Sequence, residues 1–381
     1  MDFAWSDEQK AIHDEIVRFA RQELNENLIE RDHAEEFSRE GWLKCARIGI
    51  QGLPIPVEYE GGGSDILTTV YALEALGYGC RDSGLIFSIN AHMWTAEIPI
   101  LLFGTEKQKR EYLPKLVHGE WVGGNAMSEP MSGSDAYSLR TRAERQGNGY
   151  VLNGSKTFVS NAPIADILVV FATVDASKGA AGVSAFLVEK GTPGFSLSRK
   201  LHKMGLRTSP MAELSFADCQ VPAENLLGQE GSGQAIFTAS MEWERTCIQA
   251  SHLGAMQRLL ESSTKYARER KQFGQPIGKF QAISNKIAEM EVRLEAARLL
   301  LYKAAWLKKQ GKHALREASI AKLAVSDAFI KSSLDALQIH GGYGYMTEFE
   351  IERDLRDAVG GTLYSGTSEI QKVIIAGFRG L

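Results

Sequence analysis

The chain has 381 residues, of which 44% are hydrophobic and 24% charged, and its formal net charge is -4 at pH 7. A chain of this size can bury a large core in two or three domains, and its composition is that of a globular protein. Because the charge is small and negative, it gives no indication of a nucleic-acid partner or of an anionic membrane surface as a partner.

The amino-terminal segment and the cysteines favour a cytoplasmic protein. The segment Met1-Asp2-Phe3-Ala4-Trp5-Ser6 has no basic region followed by an apolar core, so we expect no signal peptide. Apolar runs such as 98–103 are short, so we also expect no membrane span. The four cysteines are scattered without CxxC or Cys/His ligand spacing, which predicts reduced thiols and no metal site.

The first part of the chain predicts a helical domain over residues 1–119. Apolar residues at helical spacing predict a helix over 7–24, with Ser6 as N-cap and Gln9 three residues further on. Turns rich in glycine and proline over 53–65 precede a second helix that runs toward residue 76. We expect two more short helices within 98–117.

The pattern then changes to that of strands, and we predict a β domain over residues 120–229. Residues 149–160 alternate in polarity around Asn153-Gly154, which predicts a hairpin with its turn there. Further strand-like runs lie at 167–173, 183–189, 195–197 and 212–216. The intervals leave no room for βαβ crossovers, so an antiparallel barrel or sandwich is expected.

Residues 230–381 return to helical periodicity and predict a helical bundle. Helices are expected over 236–269, 281–309, 316–340 and 367–378, and their short connections favour antiparallel neighbours. The predicted fold class is therefore α+β and multi-domain: a helical domain, a β domain and a four-helix bundle.

Four segments stand out in chain order, and they are Ser128-Glu129-Pro130-Met131-Ser132-Gly133-Ser134-Asp135, Arg270-Lys271-Gln272-Phe273-Gly274-Gln275-Pro276-Ile277, Gln338-Ile339-His340-Gly341-Gly342-Tyr343-Gly344-Tyr345 and Leu363-Tyr364-Ser365-Gly366-Thr367-Ser368-Glu369-Ile370-Gln371. Together with the order of the domains, they resemble the acyl-CoA dehydrogenase family along nearly the full chain.

The resemblance implies FAD as the cofactor. Glycine and small hydroxyl side chains let backbone N–H groups approach a flavin ring closely. By position, Ser128 corresponds to the contact at the flavin N5/O4 edge, Phe158 covers a ring face and Ser160 touches the ring. A core aromatic is the alternative for Phe158.

The remaining family contacts with FAD fall in the second, third and fourth segments. Arg270, Gln272 and Phe273 match pyrophosphate and adenine contacts, since a guanidinium suits paired phosphate oxygens; a solvated helix end is the alternative. Gln338, Gly341 and Gly342 match a segment that reaches the FAD of a neighbouring subunit, although paired glycines also end helices. The full set of expected cofactor residues is Met127, Ser128, Gly133, Ser134, Phe158, Ser160, Arg270, Gln272, Phe273, Gln338, Gly341, Gly342, Thr367 and Glu369.

The chain departs from the family at its catalytic base. Family members oxidise an acyl thioester to its α,β-unsaturated form: a carboxylate removes the α proton while the β hydride passes to flavin N5. The residue before Gly-Thr-Ser is very often that glutamate, and here it is Ser365. Its backbone N–H still matches the family's donor to the enolate oxygen, so we expect Ser365 to act through its N–H only.

Glu244 is the candidate base, because a minority branch of the family carries its carboxylate at the matching position. Adjacent helix residues point about 100° apart, so Glu244 is not expected to pair with Arg245, whereas Glu242 can pair with Arg245. The apolar neighbours of Glu244 suggest partial burial, which raises a carboxyl pKa. The alternative is a surface carboxylate in a salt bridge.

Several strings resemble the branch that oxidises prolyl and other aminoacyl groups on carrier proteins; they lie at residues 81–88, 91–92, 240–244 and 365–367. Trp243 and His92 would suit a compact substrate, with plain core roles as the alternative. The expected substrate contacts are Ser88, Ser134, Trp243, Arg245 and Tyr364.

Three other functions are weighed against this one. A short- or branched-chain acyl-CoA dehydrogenase is favoured by Arg245 at the family's CoA-contact position. A flavin monooxygenase or N-hydroxylase of the same fold normally lacks both carboxylates, so Glu244 argues against it. The last is a non-enzymatic assembly subunit. The resemblance further implies oxygen or an electron-transfer flavoprotein as electron acceptor, and a homo-oligomer of at least two subunits, the family being usually tetrameric.

Overall fold

The computed structural model of the chain describes residues 4–381. Residues 1–3, which open the segment in which no signal peptide is expected, lie outside the described residues. Helices come first, a sheet follows and helices return, so the predicted fold class is confirmed.

The region before the sheet is helical, and its helices are α1 (Asp7–Glu23), α2 (Leu28–Ala34), α3 (Arg39–Arg47), α4 (Ile66–Gly79), α5 (Ser83–His92), α6 (Ile98–Phe103) and α7 (Glu106–Val117). The predicted start of α1 is confirmed, because Ser6 Oγ accepts a hydrogen bond from the Gln9 N–H and the Gln9 side chain accepts one from the Ser6 N–H. This capping box satisfies donors that the helix itself leaves unpaired.

Helices α5 and α6 are joined by a π-helical turn, Met93–Glu97, into one helical segment, Ser83–Phe103, of 21 residues. By length and composition it could cross a membrane, so the expectation that no apolar segment is long enough was wrong. In the structure 89% of its apolar window is buried inside the protein. It is a core helix around which the other elements pack.

The middle region is one sheet, whose strands are β1 (Gly123–Ala126), β2 (Arg142–Gln146), β3 (Gly149–Ser160), β4 (Ile167–Thr173), β5 (Val183–Glu189), β6 (Phe195–Lys200), β7 (Met211–Pro222) and β8 (Leu226–Leu227). Their order is β6-β7-β3-β2-β4-β5-β8, with β1 also paired to β4. The β1–β4 and β2–β4 pairs are parallel, so the sheet is mixed. The prediction of a wholly antiparallel sheet is wrong. The parallel direction of β2 and β4 follows from the connections, because β3 runs back along β2 and β4 reverses direction again.

The predicted hairpin turn at Asn153-Gly154 is wrong. β3 runs through both residues as one strand, and the chain turns instead at 147–148, between β2 and β3. Gly154 has a φ of 150° and lies where the pairing of β3 with β7 shifts register. A Cβ on Gly154 would lie 2.5 Å from Thr141 Oγ1. The glycine therefore permits a close approach at a bulge and does not form a turn.

The last region is a helical bundle, with α8 (Gly233–Cys247), α9 (Ala250–Glu269), α10 (Gln281–Lys309), α11 (Leu315–His340), α12 (Gly342–Tyr345), α13 (Ile351–Gly360) and α14 (Ser368–Gly377), and the short strands β9 (Lys271–Gln272) and β10 (Gln275–Pro276). The single helix predicted over 236–269 is wrong, because the chain breaks at Ile248 and Gln249. No glycine or proline marks that break. Helix α8 packs against β5, the π-helical turn and α11, which places it where the three regions meet.

Short helical turns complete the chain at Val57–Tyr59, Ala176–Gly182, Ala223–Asn225, Ile277–Lys279 and Thr347–Phe349. The four cysteines are buried and unpaired, and they are Cys45, Cys80, Cys219 and Cys247.

Candidate active site

Glu244 lies on α8 and faces the loop that precedes α14. Its side chain is buried, with 6% of the residue exposed. Its Oε1 accepts a hydrogen bond of 2.8 Å from Ser365 Oγ, although the two residues are 121 positions apart. The fold therefore brings the candidate base into direct contact with the residue that replaces the family's usual glutamate.

Ser365 is held in a backbone conformation that residues other than glycine rarely adopt. Its φ is 57°, and that of Gly366 is 85°. Arg245 Nε donates to the Ser365 carbonyl at 2.9 Å, and Lys322 Nζ donates to the Gly366 carbonyl at 2.8 Å. Gln371 Nε2 donates to both carbonyls, at 3.1 and 2.8 Å. We call these three side chains, Arg245, Lys322 and Gln371, the carbonyl clamp.

The backbone N–H of Ser365, unlike its carbonyl, makes no hydrogen bond within residues 4–381. A partly buried N–H group without a partner is uncommon in a folded chain, and active sites are one place where such groups occur. The donor expected for the enolate oxygen is therefore available to donate to a ligand.

The electrostatics of the site suit a general base. Burial raises the pKa of the Glu244 carboxyl, while the Ser365 hydrogen bond and the charges of Arg245 and Lys322 act in the opposite direction. The predicted burial and raised pKa of Glu244 are confirmed. Burial, aided by Arg245, lowers the pKa of the Lys322 ammonium to about 8. A carboxylate whose pKa is raised toward the working pH is a better proton acceptor.

Arg245 and Glu242 do not pair, and the prediction of their salt bridge is wrong. Glu242 Oε1 instead accepts a hydrogen bond of 2.7 Å from Lys308 Nζ, because α10 lies alongside α8. Arg245 is buried and uses its Nε in the carbonyl clamp. No ion pair among residues 4–381 joins Glu244 to Arg245, as predicted.

Two of the expected substrate contacts are tied to protein partners. The Tyr364 hydroxyl is hydrogen-bonded to His252 Nε2 at 3.0 Å, and burial lowers the pKa of His252 to about 3, so the imidazole is neutral. The Ser88 hydroxyl is buried against Ser209 Oγ at 2.8 Å. Each hydroxyl thus has a hydrogen-bond partner inside the protein, and either member of each pair can be the donor.

Trp243 and His92 have contacts typical of a core. The Trp243 ring stacks on Trp94 at 6.0 Å between centroids, and the Lys308 ammonium lies 4.7 Å from its centre. His92 is fully buried, and its Nδ1 accepts a hydrogen bond of 2.8 Å from the Gly123 N–H. His92 thus has the core role that we left open as its alternative.

Met127 and Ser128 follow β1, where a buried ion pair fixes the backbone. Lys156 Nζ lies 2.8 Å from Glu129 Oε1 and donates to the Met127 carbonyl at 3.0 Å. The Thr157 N–H donates to the Ser128 carbonyl at 2.9 Å, which couples this segment to β3. Both members of the ion pair are buried.

Phe158 is exposed and lies on a strained backbone. Its φ is 56°, it lies at a second register shift in β3, and 66% of the residue is exposed. The core alternative for Phe158 is therefore excluded. Of the other expected flavin contacts, Gly133 and Ser134 are exposed and Ser160 is half-buried. A Cβ on Gly133 would meet no atom within 4 Å. An exposed aromatic ring and a segment without bulk suit a planar ligand such as a flavin.

A second group of expected cofactor residues lines a separate concave surface, which encloses a volume of about 690 Å³. Its lining includes Arg270, Gln272, Phe273, Gly341 and Gly342, and it includes no residue of the range 127–160. A Cβ on either glycine would meet no atom within 4 Å. This open surface with an arginine and an aromatic ring suits a dinucleotide's phosphates and base.

The last three expected cofactor residues lie at helix ends. Gln338 is exposed near the end of α11, and Gly341, with a φ of 61°, ends that helix, so its C-cap role is also present. Thr367 Oγ1 caps α14 by accepting from the Ile370 N–H at 3.3 Å. Glu369 is exposed in the first turn of α14.

Sequence reasoning missed three residues that support the site: Lys156, Lys322 and Gln371. A signal for Lys322 was available, since it falls between Ala318 and Val325 on the buried stripe of α11. A lysine in such a stripe is rarely buried without a partner. No local signal marks Gln371. Among residues 4–381, no three His, Cys, Asp or Glu side chains converge as metal ligands.

Comparisons with known proteins agree on one family. The family models "Acyl-CoA dehydrogenase, N-terminal domain", "middle domain" and "C-terminal domain" match residues 6–120, 124–219 and 231–378. The chain is 45% identical to the L-prolyl-[peptidyl-carrier protein] dehydrogenase of Pseudomonas fluorescens over 377 residues, or 99% of each chain.

Two solved structures are similar over their whole length. The prolyl acyl carrier protein oxidase AnaB superposes with a TM-score of 0.98 at 52% identity, covering 99% of this chain and 100% of AnaB. PigA, solved with FAD and proline, superposes with a TM-score of 0.98 at 40% identity, covering 100% of each chain.

Proposed function

Because the chain belongs to the acyl-CoA dehydrogenase family, we propose that it is an FAD-dependent acyl-thioester dehydrogenase that uses Glu244 as its base. Its substrate is a small acyl or aminoacyl group, such as a prolyl group, carried as a thioester on an acyl or peptidyl carrier protein in a biosynthetic pathway. The observation that carries the mechanism is the contact of 2.8 Å between Glu244 and Ser365.

That contact places a proton acceptor beside an anion-binding donor. Glu244 removes the α proton of the thioester, and negative charge then grows on the carbonyl oxygen. The unpaired N–H of Ser365 donates to that oxygen, and the carbonyl clamp keeps the peptide in place while the charge develops. Preorganised donors of this kind need no reorganisation during the reaction.

FAD supplies the acceptor for the β hydride when it is bound. We propose that Met127, Ser128, Phe158 and Ser160 hold the flavin ring, with Gly133, Ser134, Thr367 and Glu369 along its edge. The concave surface with Arg270, Gln272, Phe273, Gln338, Gly341 and Gly342 would hold the phosphates and adenine. These assignments are supported by the exposure of Phe158 and by the space around Gly341 and Gly342, where an added Cβ would meet no atom within 4 Å.

The carrier-protein substrate is favoured over a free CoA thioester by the contacts of Arg245. Its guanidinium is buried and is part of the carbonyl clamp. An arginine committed in this way is poorly placed to meet the phosphates of CoA. The similar proteins named prolyl-carrier-protein dehydrogenase and oxidase, at 45% and 52% identity, support the same choice.

A panel of thioesters tests this substrate assignment. We expect prolyl-loaded peptidyl carrier protein to bleach the flavin anaerobically, with a loss of two hydrogens by mass spectrometry, and butyryl- and isovaleryl-CoA to bleach it at least about tenfold more slowly. Unloaded carrier protein is the control. Faster bleaching by either CoA thioester would make the chain a short- or branched-chain acyl-CoA dehydrogenase.

The electron acceptor and the location are part of the same proposal. Oxygen and an electron-transfer flavoprotein are the two acceptors considered, and the rate at which air alone reoxidises the bleached flavin distinguishes them. We place the enzyme in the cytoplasm, in keeping with its four unpaired cysteines.

We also propose a homo-oligomer, with the tetramer of the family as the expected form. The residues expected to hold the flavin ring and those expected to hold the adenine lie on separate surfaces of one chain. Exposed apolar side chains line and flank the second surface: Phe273, Tyr343, Tyr345, Met346 and Phe349. A contiguous apolar patch of this kind is typical of a protein interface.

Replacing Phe273 with Asp tests this interface. Phe273 is 92% exposed in the single chain, so the change should not disturb the core. We expect sedimentation to show smaller species and gel filtration to strip most of the FAD. The matched control is Val57→Asp, at an exposed apolar residue of the first region. A Phe273→Asp protein that keeps both its size and its FAD would contradict the proposed interface.

A further inference from the structure

The side chain of Ser365 has a geometry that its expected role does not require. As an enolate donor the residue needs only its N–H, and any amino acid except proline supplies that group. Its hydroxyl nevertheless donates to Glu244 Oε1 at 2.8 Å. No hydrogen bond within residues 4–381 reaches the other oxygen, Oε2.

The backbone conformation of residue 365 fixes the position of that hydroxyl. The φ of Ser365 is 57°, a region that is costly for a residue with a Cβ. The carbonyl clamp makes four hydrogen bonds to the Ser365 and Gly366 carbonyls and holds the loop in this conformation. Lys322 and Gln371 are fully buried, so the clamp is anchored in the core.

A single hydrogen bond on one oxygen orients a carboxylate. A glutamate side chain has three torsions, and a buried carboxylate without hydrogen-bond partners can adopt several rotamers about them. With one lone pair of Oε1 occupied by Ser365, Oε2 is the oxygen with both lone pairs available to a proton. The same bond favours the ionised carboxylate and so opposes the effect of burial.

We propose that the Ser365 hydroxyl is a positioning residue for the base: it directs Oε2 of Glu244 toward the α carbon and keeps the carboxylate ionised. Residue 365 then serves both halves of the reaction, the base through its side chain and the enolate through its N–H. This proposal rests on the proposed role of Glu244 as base.

Three substitutions of Ser365 test it, with the pH profile of anaerobic flavin reduction as the readout. Ser365→Ala removes the hydroxyl and keeps the Cβ. We expect a rate at neutral pH that is lower by roughly tenfold and an acidic limb displaced upward by about one pH unit, since hydrogen bonds to charged groups are among the stronger ones. As the pH rises the rate of the variant should recover only in part, because the lost orientation of Oε2 does not depend on pH.

The other two substitutions separate the hydroxyl from the backbone. Ser365→Gly relieves the strain at positive φ, yet it should show the same displaced limb as Ser365→Ala. Ser365→Thr retains a hydroxyl and should retain the parent limb, even if its melting temperature falls. An unchanged limb in both Ser365→Ala and Ser365→Gly, or a Thr limb displaced as far as theirs, would overturn the proposal.

Failure of this proposal can be told from failure of the proposed function. If Glu244→Gln abolishes flavin reduction while the Ser365 variants keep the parent pH profile, Glu244 remains the base and the hydroxyl has no positioning role. If Glu244→Gln reduces its flavin at the parent rate, the proposed base itself is wrong.

Discussion

The Glu244→Gln protein is expected to fold, to bind FAD and to lose almost all flavin reduction by its thioester substrate. An amide cannot accept the α proton, and loss of a general base lowers a rate by about a hundredfold to ten-thousandfold. Gln has nearly the volume of Glu and can still accept the Ser365 hydrogen bond through its amide oxygen. Anaerobic stopped-flow measurement of flavin bleaching at saturating substrate gives the rate directly.

The control for this experiment lies two residues away on the same helix. Glu242 pairs with Lys308 and has no contact with Ser365. Glu242→Gln should therefore bleach within about threefold of the parent. Equal losses in both variants would point to damage to α8, and normal bleaching of Glu244→Gln would require a different base.

The Glu129→Gln protein is expected to be strongly destabilised. Glu129 Oε2 accepts a hydrogen bond of 2.6 Å from the Arg140 N–H and Oε1 one of 3.0 Å from the Thr141 N–H, and the single amide oxygen of Gln can keep only one of these. The substitution also leaves the Lys156 ammonium buried without a countercharge. Breaking a buried ion pair in this way costs about 3–5 kcal/mol. Thermal unfolding followed by flavin fluorescence should show a lower midpoint and earlier release of FAD.

A second substitution shows whether the lost charge is the cause. Adding Lys156→Met to Glu129→Gln removes the uncompensated ammonium, so part of the lost stability should return. The comparison variant is Glu213→Gln, which breaks the more exposed pair with Arg199 in the same sheet and should cost about 1 kcal/mol or less. A Glu129→Gln midpoint equal to that of Glu213→Gln would show that the buried pair adds little stability.

The chemistry of the site was easier to predict than its contacts. Glu244 could be proposed as the base because removal of an α proton needs a carboxylate and Ser365 is not one. The contact between their side chains joins residues 121 positions apart, and no local pattern encodes such a distance. The carbonyl clamp was missed for the same reason, since Arg245, Lys322 and Gln371 lie on three different helices.

The errors in the fold have a common physical origin. Asn153-Gly154 is a strong hairpin signal, but Gly154 is used for a close approach to Thr141 inside the sheet. The break between α8 and α9 contains Ile248 and Gln249, both compatible with a helix, so tertiary packing sets it. The 21-residue core helix reads in sequence as separate pieces, because polar residues such as Asn90 and His92 interrupt it. Each of them is satisfied inside the protein, Asn90 by Trp94 Nε1 and the Ile86 carbonyl.

The contact between Glu244 and Ser365 limits the order in which these two positions can change during evolution. A glutamate at 365 would place a second carboxyl group beside Glu244, and two such groups at hydrogen-bonding distance share one proton. A lineage that gains the carboxylate at 244 first passes through this proton-sharing pair, whereas one that loses the carboxylate at 365 first passes through a chain without a base. We therefore expect the two positions to be epistatic, and a small hydroxyl at 365 is compatible with a carboxylate at 244.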